Sequence, residues 1–294
     1  MLDYVAEDLG NVRIEDVDLV FLRKDQGGTH YLGRAHFEEC LSPIYPLLRK
    51  SLNPSICVDV GANYGYTGLL MCRAFPASKL FLVEPIPWLK AFIEHNFEAN
   101  AQQFEAYYQA ICSDLSEGKR SSFGVNDRSS QDSRVIPNPG WTIVETDVVT
   151  LDGILAAASA EDRVYIKIDT QGWEQRVFTG GERFLSGHSK WFVKAEFAPM
   201  WLESQGTLPE SLLRYLLERY CVFEFPGRLA WNTADLRHAL GRPLTLGDES
   251  AFVKYVRRLN RDNTGWVDLF IMPKGDRRGY AIGAAKHPAD GISV

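Results

Sequence analysis

The sequence predicts an α/β protein built on a doubly wound, mostly parallel sheet. Seven short β-branched or aromatic runs recur along the chain, and helical patterns separate many of them. A glycine-rich turn after the first run marks one end of that sheet as a ligand site. The length of 294 residues suits one large domain with additions or two small ones.

In chain order the predicted strands are "ICVDV" (56–60), "KLFLVE" (79–84), "AYYQAI" (106–111), "VYIKID" (164–169), "KWFVKAEF" (190–197), "CVFEF" (221–225) and "WVDLFIM" (266–272). Helical spacing puts Trp88, Leu89, Phe92, Ile93 and Phe97 on one face. It does the same for Leu212, Leu213, Leu216, Leu217 and Tyr220, with Pro209 in the first turn, and for Phe252, Val253, Val256 and Leu259. Residues 119–151 are Ser-, Asn- and Pro-rich and then alternate, which predicts a small antiparallel insertion. Residues 1–50 are expected to form an N-terminal cap whose helical pattern Pro43 and Pro46 break. The main domain is expected over 51–274, with an aperiodic tail at 275–294.

A net charge of −6 offers no general attraction to nucleic acid or anionic lipid. No apolar run approaches the ~20 residues that span a bilayer. The first ten residues lack the apolar stretch of a secretory signal, so a cytoplasmic protein is expected. Cys40, Cys57, Cys72, Cys112 and Cys221 are scattered without metal or redox spacing and read as reduced thiols.

The segment "VDVGANYGYTG" (58–68) joins the first strand to a helical pattern, where ligands bind in open α/β sheets. A dinucleotide fingerprint starting at Gly61 would need glycines at 63 and 66, and this chain has Asn63 and Tyr66. A phosphate-cradling G-x-x-x-x-G-K-[ST] loop is also absent. Asp59, at the strand end, would repel a phosphate and attract an amino group, while Glu84 is placed to accept both hydroxyls of a ribose. An acid for an ammonium, another for a ribose and no phosphate site describe a pocket for an adenosyl amino acid such as S-adenosylmethionine. Taken singly, the glycines are an ordinary turn and Asp59 a helix cap.

"VDVGANYGYTGLL", "FLVEP" and "YIKIDTQGWEQRVFTGGERFL", in that order, resemble the FkbM-type family of S-adenosylmethionine-dependent methyltransferases, over residues 57–197. The resemblance implies a seven-stranded, Rossmann-like methyltransferase sheet with its last strand antiparallel. It also implies O-methylation of a small-molecule hydroxyl, of sugar or polyketide natural-product type. It puts the cofactor on Asp59, Gly61, Asn63, Gly65 and Glu84, with Ile111, Cys112 and Asp114 of "QAICSD" flanking the adenine. The family's K-x-D-x-x-G-x-E pattern is met by Lys167, Asp169, Gly172 and Glu174. S-adenosylhomocysteine would be the product. The cap and everything beyond about Trp201 match no family pattern.

Lys167 and Asp169 share one strand face, as do Lys194 and Glu196, and in this family's sheet the two strands are neighbours. Asp169 and Glu196 are the candidate catalytic acids. They would serve as a general base or hold a divalent metal that acidifies the hydroxyl; alternatively, the pairs only neutralise each other. No metal ligand is assigned. Glu174 reads as a first-turn residue complementing the helix dipole. His30 and His36 lie in the cap, and Trp141, Trp173, Trp191 and Trp201 are candidates for lining an acceptor pocket. Lys254, Arg257, Arg258 and Arg261 form a solvated basic face or a phosphate contact. The rival readings are a non-catalytic cofactor-binding protein and a methyltransferase acting on nucleic acid or protein.

Overall fold

The alternating stretches "NVRI" and "VDLV" fold as an antiparallel hairpin, β1 (Leu9–Ile14) against β2 (Val17–Leu22), burying Val17, Leu19 and Phe21. The structure is a computed structural model that describes residues 2, 4–14, 16–32, 44–115, 118–225 and 236–274. The sequence reading expects no strands in this segment; the short period-2 stretch is the signal that finds them. Helix α1 (Gln26–Leu32) follows the hairpin, and α2 (Ile44–Ser51) leads into the sheet. Pro46 falls in the first turn of α2, where a missing N–H costs no hydrogen bond, so it does not break the helix. Pro43, Cys40, His36 and the 275–294 tail lie outside the described residues.

The core runs β3 (Ile56–Val60), α3 (Tyr66–Ala74), β4 (Lys79–Val83), α4 (Leu89–Ala99) and β5 (Ala106–Tyr108). The single strand expected over 106–111 is two. The chain turns out of the main sheet at Gln109, whose carbonyl accepts from Thr146 Oγ1 at 3.0 Å, and β6 (Ala110–Cys112) joins a separate small sheet. There β7 (Arg120–Val125) pairs antiparallel with β8 (Thr142–Val149), and β6 pairs parallel with β8 on its other side. The alternating "TIVETDVV" of β8 is the stretch that expectation rested on.

The chain then returns through α5 (Leu151–Ile154), β9 (Val164–Ile168), α6 (Glu174–Thr179), α7 (Glu182–Gly187) and β10 (Trp191–Phe197). After β10 come α8 (Pro199–Ser204), α9 (Pro209–Arg219), β11 (Tyr220–Glu224), α10 (Leu236–Leu240), α11 (Glu249–Arg258) and β12 (Val267–Pro273). The seven-stranded sheet has the order β11-β12-β10-β9-β3-β4-β5. The last strand, β12, runs antiparallel to both neighbours, and the pairs from β10 across to β5 are parallel.

Each face of the sheet has its own core. Cys57, Tyr165, Phe192 and Phe270 face the layer containing α2, α3, α4 and the hairpin. Val58, Val60, Val164, Ile166, Ile168 and Val193 face the layer of α6, α9 and α11. Burial on both faces explains why β3 and β9 read as apolar runs and not as alternations. The hairpin is tied on by α4. Asn96 accepts from Val20 N at 2.8 Å and donates to Val20 O at 3.2 Å. One turn later Asn100 makes the same reciprocal pair with Asp18. Two asparagines thus satisfy the free edge of β2 as a further strand would.

Candidate active site

The strand order reverses between β3 and β9, where a doubly wound sheet opens a crevice at its carboxyl edge. A cavity of about 630 Å³ sits there. The strand registers write its floor. Asp59 stands opposite Lys167 and Lys167 opposite Lys194, and one step towards the carboxyl edge Glu196 stands opposite Asp268. A basic row is therefore followed by an acidic one, Asp169, Glu196 and Asp268, at the cavity floor.

Lys167 organises the basic row. Its Nζ donates to Gly61 O at 2.7 Å and lies 3.2 Å from Asp59 Oδ1 and 3.6 Å from Asp169 Oδ2. Asp59 is fully buried beneath the turn and does not line the cavity; its carboxylate faces Lys167, and burial raises its proton affinity against that lysine's pull. The ammonium-accepting position expected of Asp59 is thus filled by a lysine of the same protein. Gly61 has φ +81°, and a Cβ there would strike the Asp169 carbonyl, so the turn can pass β9 this closely only as glycine. Gly65, with φ +84°, opens α3 and lies outside the cavity lining.

Asn63 and Glu84 form one unit. Glu84 Oε2 accepts from Asn63 N and Oε1 from Ile86 N, both at 2.9 Å, which fixes the carboxylate at the cavity wall. Burial pushes Glu84 up to about 7 in spite of those two donors. Ile86, Ile111 and Cys112 line the same cavity. Asp114 does not line it; it pairs with Arg176 at 3.1 Å, outside the wall formed by Trp173. Trp173 is fixed by its Nε1 donating to Ser113 Oγ at 3.1 Å.

Gln171 Nε2 donates to Asp169 Oδ1 at 2.9 Å and to Glu196 Oε2 at 3.3 Å, which holds the two candidate acids side by side. Burial, and then the charges of Asp169, Glu174 and Asp268, hold Glu196 well above the usual carboxylate range. Lys194 does not neutralise Glu196 in its own strand. It pairs with Asp268 of β12 at 2.7 Å. Gln171 and Asp268 are site residues that sequence reasoning missed; Asp268 depends on the register of an antiparallel strand ~70 residues away, which strand spacing alone cannot supply.

Glu174 is buried and shapes the loop that carries Gln171. Its Oε1 accepts from Thr170 N, Thr170 Oγ1 and Gly172 N, at 2.9, 2.9 and 3.2 Å. The K-x-D-x-x-G-x-E pattern is thus an acid-bearing strand end followed by a loop folded on its own glutamate. Of the four tryptophans, Trp173 and Trp201 line the cavity. Trp191 is fully buried, donating to Leu185 O and His188 O, and Trp141 stacks on Arg134. His30 reaches the lining from α1. Arg257 pairs with Glu203 at 2.6 Å and extends no basic face towards the cavity. Among the described residues, no group of three or more His, Cys, Asp or Glu has the arrangement to hold a metal ion. No helix among them is long and apolar enough to cross a membrane.

A family model for the methyltransferase FkbM domain matches residues 59–225, more than half of the chain. Comparison with curated protein sequences gives no match. Among solved structures, the O-methyltransferase TomG from Streptomyces achromogenes, in complex with SAM, has a TM-score of 0.42 and 10% identity, covering 84% of this chain and 86% of that one. Geranyl diphosphate C-methyltransferase from Streptomyces coelicolor A3(2), in complex with geranyl diphosphate and S-adenosyl-L-homocysteine, has a TM-score of 0.38 and 14% identity, covering 82% and 79%. The family match spans the glycine turn, both acid-bearing strands and β11, and the chain belongs to the FkbM family of S-adenosylmethionine-dependent methyltransferases.

Proposed function

We propose that this methyltransferase acts on oxygen, transferring the methyl group to a hydroxyl of a small molecule of sugar or polyketide type. The observation that carries the reading is the Asp169–Gln171–Glu196 arrangement at the cavity floor, with Glu196 disposed to take up a proton. A hydroxyl must lose its proton as it is methylated, and Glu196 in its ionised form, its basicity raised by burial, would accept it, so turnover should require a pH high enough to ionise this acid.

The residues present fit the cofactor. Each Glu84 oxygen accepts one backbone N–H and keeps a lone pair for a ribose hydroxyl. Ile86, Ile111 and Cys112 give an apolar wall for an adenine ring, and the volume holds a cofactor with a small acceptor. S-adenosylmethionine, when bound, supplies an electrophilic methyl group on sulfur. The chain's own residues supply the rest. Lys167 holds the Gly61 peptide and Asp169 in fixed relation; Gln171 sets Asp169 beside Glu196; Trp201, Phe225 and Trp266 offer aromatic surface to an acceptor.

The test is methyl transfer from labelled S-adenosylmethionine to a panel of sugar and polyketide hydroxyl compounds. Glu196→Gln should lower kcat by about 10²–10⁴-fold, the usual contribution of a general base, and should leave S-adenosylhomocysteine affinity within about threefold. Wild-type kcat in Glu196→Gln would remove Glu196 from the chemistry.

A further inference from the structure

Asp25 lies well before the family-matched segment, yet it is buried against the cofactor turn, 2% exposed. Its Oδ1 accepts from Gly28 N at 3.0 Å and from Ser130 N at 2.9 Å, and its Oδ2 accepts from the Tyr64 hydroxyl at 2.8 Å. Three separate parts of the chain meet on this one carboxylate: α1, the turn leading into α3, and the insertion between β7 and β8.

Two paths run from it into the site. Through Ser130, whose Oγ accepts from Asn63 Nδ2 at 3.0 Å, Asp25 reaches Asn63, and Asn63 N holds Glu84 Oε2. Through Tyr64, it fixes the next residue of the turn, whose carbonyl accepts from Asn96 Nδ2 at 3.0 Å. The segments that Asp25 joins also supply cavity lining: His30 and Leu32 from α1, and Gln131 to Ser133 from the insertion. Gln26 N donating to Arg128 O at 2.8 Å makes a second link between the same two segments.

We propose that Asp25 is a positioning residue for methyl-donor binding. It sets Asn63 and Tyr64 in the turn and holds the insertion over the cavity, so that the N-terminal segment is a working part of a site whose family pattern begins only at residue 59. The role rests on the reading of this cavity as the S-adenosylmethionine site. A buried carboxylate removed here leaves the Ser130 amide and the Tyr64 hydroxyl without their acceptor, and the turn loses its lateral support.

The experiment compares wild type, Asp25→Ala and Asp25→Asn, with Asn100→Ala as a control that loosens hairpin docking away from the hub. S-adenosylhomocysteine affinity is measured by calorimetry at a temperature where all four are folded. Amide exchange at residues 61–66 and 128–133 is followed without ligand. Asn at 25 keeps an acceptor for both N–H groups and can donate to the Tyr64 oxygen, so it should stay near wild type. Asp25→Ala should weaken binding by about tenfold or more and speed exchange in both segments, while Asn100→Ala should do neither. Affinity and exchange unchanged in Asp25→Ala would overturn the proposal, and so would equal losses in Asp25→Ala and Asn100→Ala. If wild type itself fails to bind, the cavity reading falls; the exchange data then still decide whether Asp25 orders the turn.

Discussion

Glu84 shows how a single residue was legible in part. Its place at the end of the second strand, at the cavity wall, follows from the sequence. Its two backbone donors and its burial do not, because they depend on how the Asn63 turn folds back over β4. Burial raises Glu84 to about 7 and raises Glu174 and Glu196 in the same direction. Where the native state holds a proton that the unfolded chain has released, these groups contribute stability that is lost as pH rises, while carboxylates held below their ordinary values, such as Asp162 and Asp248, act the other way only at lower pH. For Glu84 the window runs from its ordinary 4.5 to about 7. Denaturant titrations of ligand-free protein at about pH 5 and about pH 8 should give the lower stability at the higher pH. Glu84→Gln should reduce that fall, whatever it does to absolute stability. An undiminished fall in the variant would show that Glu84 titrates near its ordinary value. Asp169 and Glu196 illustrate the same division: i, i+2 spacing put each on one face with its own strand's lysine, and the family resemblance made the two strands neighbours, but the Lys194–Asp268 pair was not readable.

Among the elements, the loop after β9 carries most of the residues of the proposed catalytic arrangement. Its K-x-D-x-x-G-x-E pattern is visible in the sequence, but Glu174 there looks like a helix-dipole residue. In the fold it gathers Thr170 and Gly172 onto one oxygen, and Gln171 and Gly172 take φ of +55° and +101°. A Cβ at Gly172 would strike the Trp201 carbonyl of α8. Gly172→Ala should therefore destabilise the protein by about 1–3 kcal/mol, the range for a strained backbone position, measurable by denaturant unfolding. A change indistinguishable from zero would mean that the loop has another conformation. The N-terminal hairpin was missed for a physical reason of its own: it stands apart from the main sheet, and its outer edge is satisfied by Asn96 and Asn100 of a helix, a contact that leaves no local pattern.

At the scale of the whole molecule, the parallel sheet followed from strand–helix alternation, and β3 and β9, buried on both faces, are apolar except for Asp59 and Lys167, which pair with each other. The antiparallel last strand followed only from family resemblance; nothing in "WVDLFIM" gives its direction. A ligand that binds the native cavity and not the unfolded chain adds stability by mass action, about 2.7 kcal/mol at a concentration 100 times its Kd. Thermal melts with S-adenosylhomocysteine should shift upward with concentration accordingly, and NAD should leave the melt unchanged. A shift with NAD alone would assign the cavity to a dinucleotide.

The most direct test of the central claim is calorimetric titration of S-adenosylhomocysteine into wild type and Glu84→Ala. Saturable binding to the wild type, weakened by about tenfold or more in the variant, would place the methyl donor on the Gly61–Glu84 wall. An absence of binding to folded wild-type protein, or equal binding to both, would contradict that assignment.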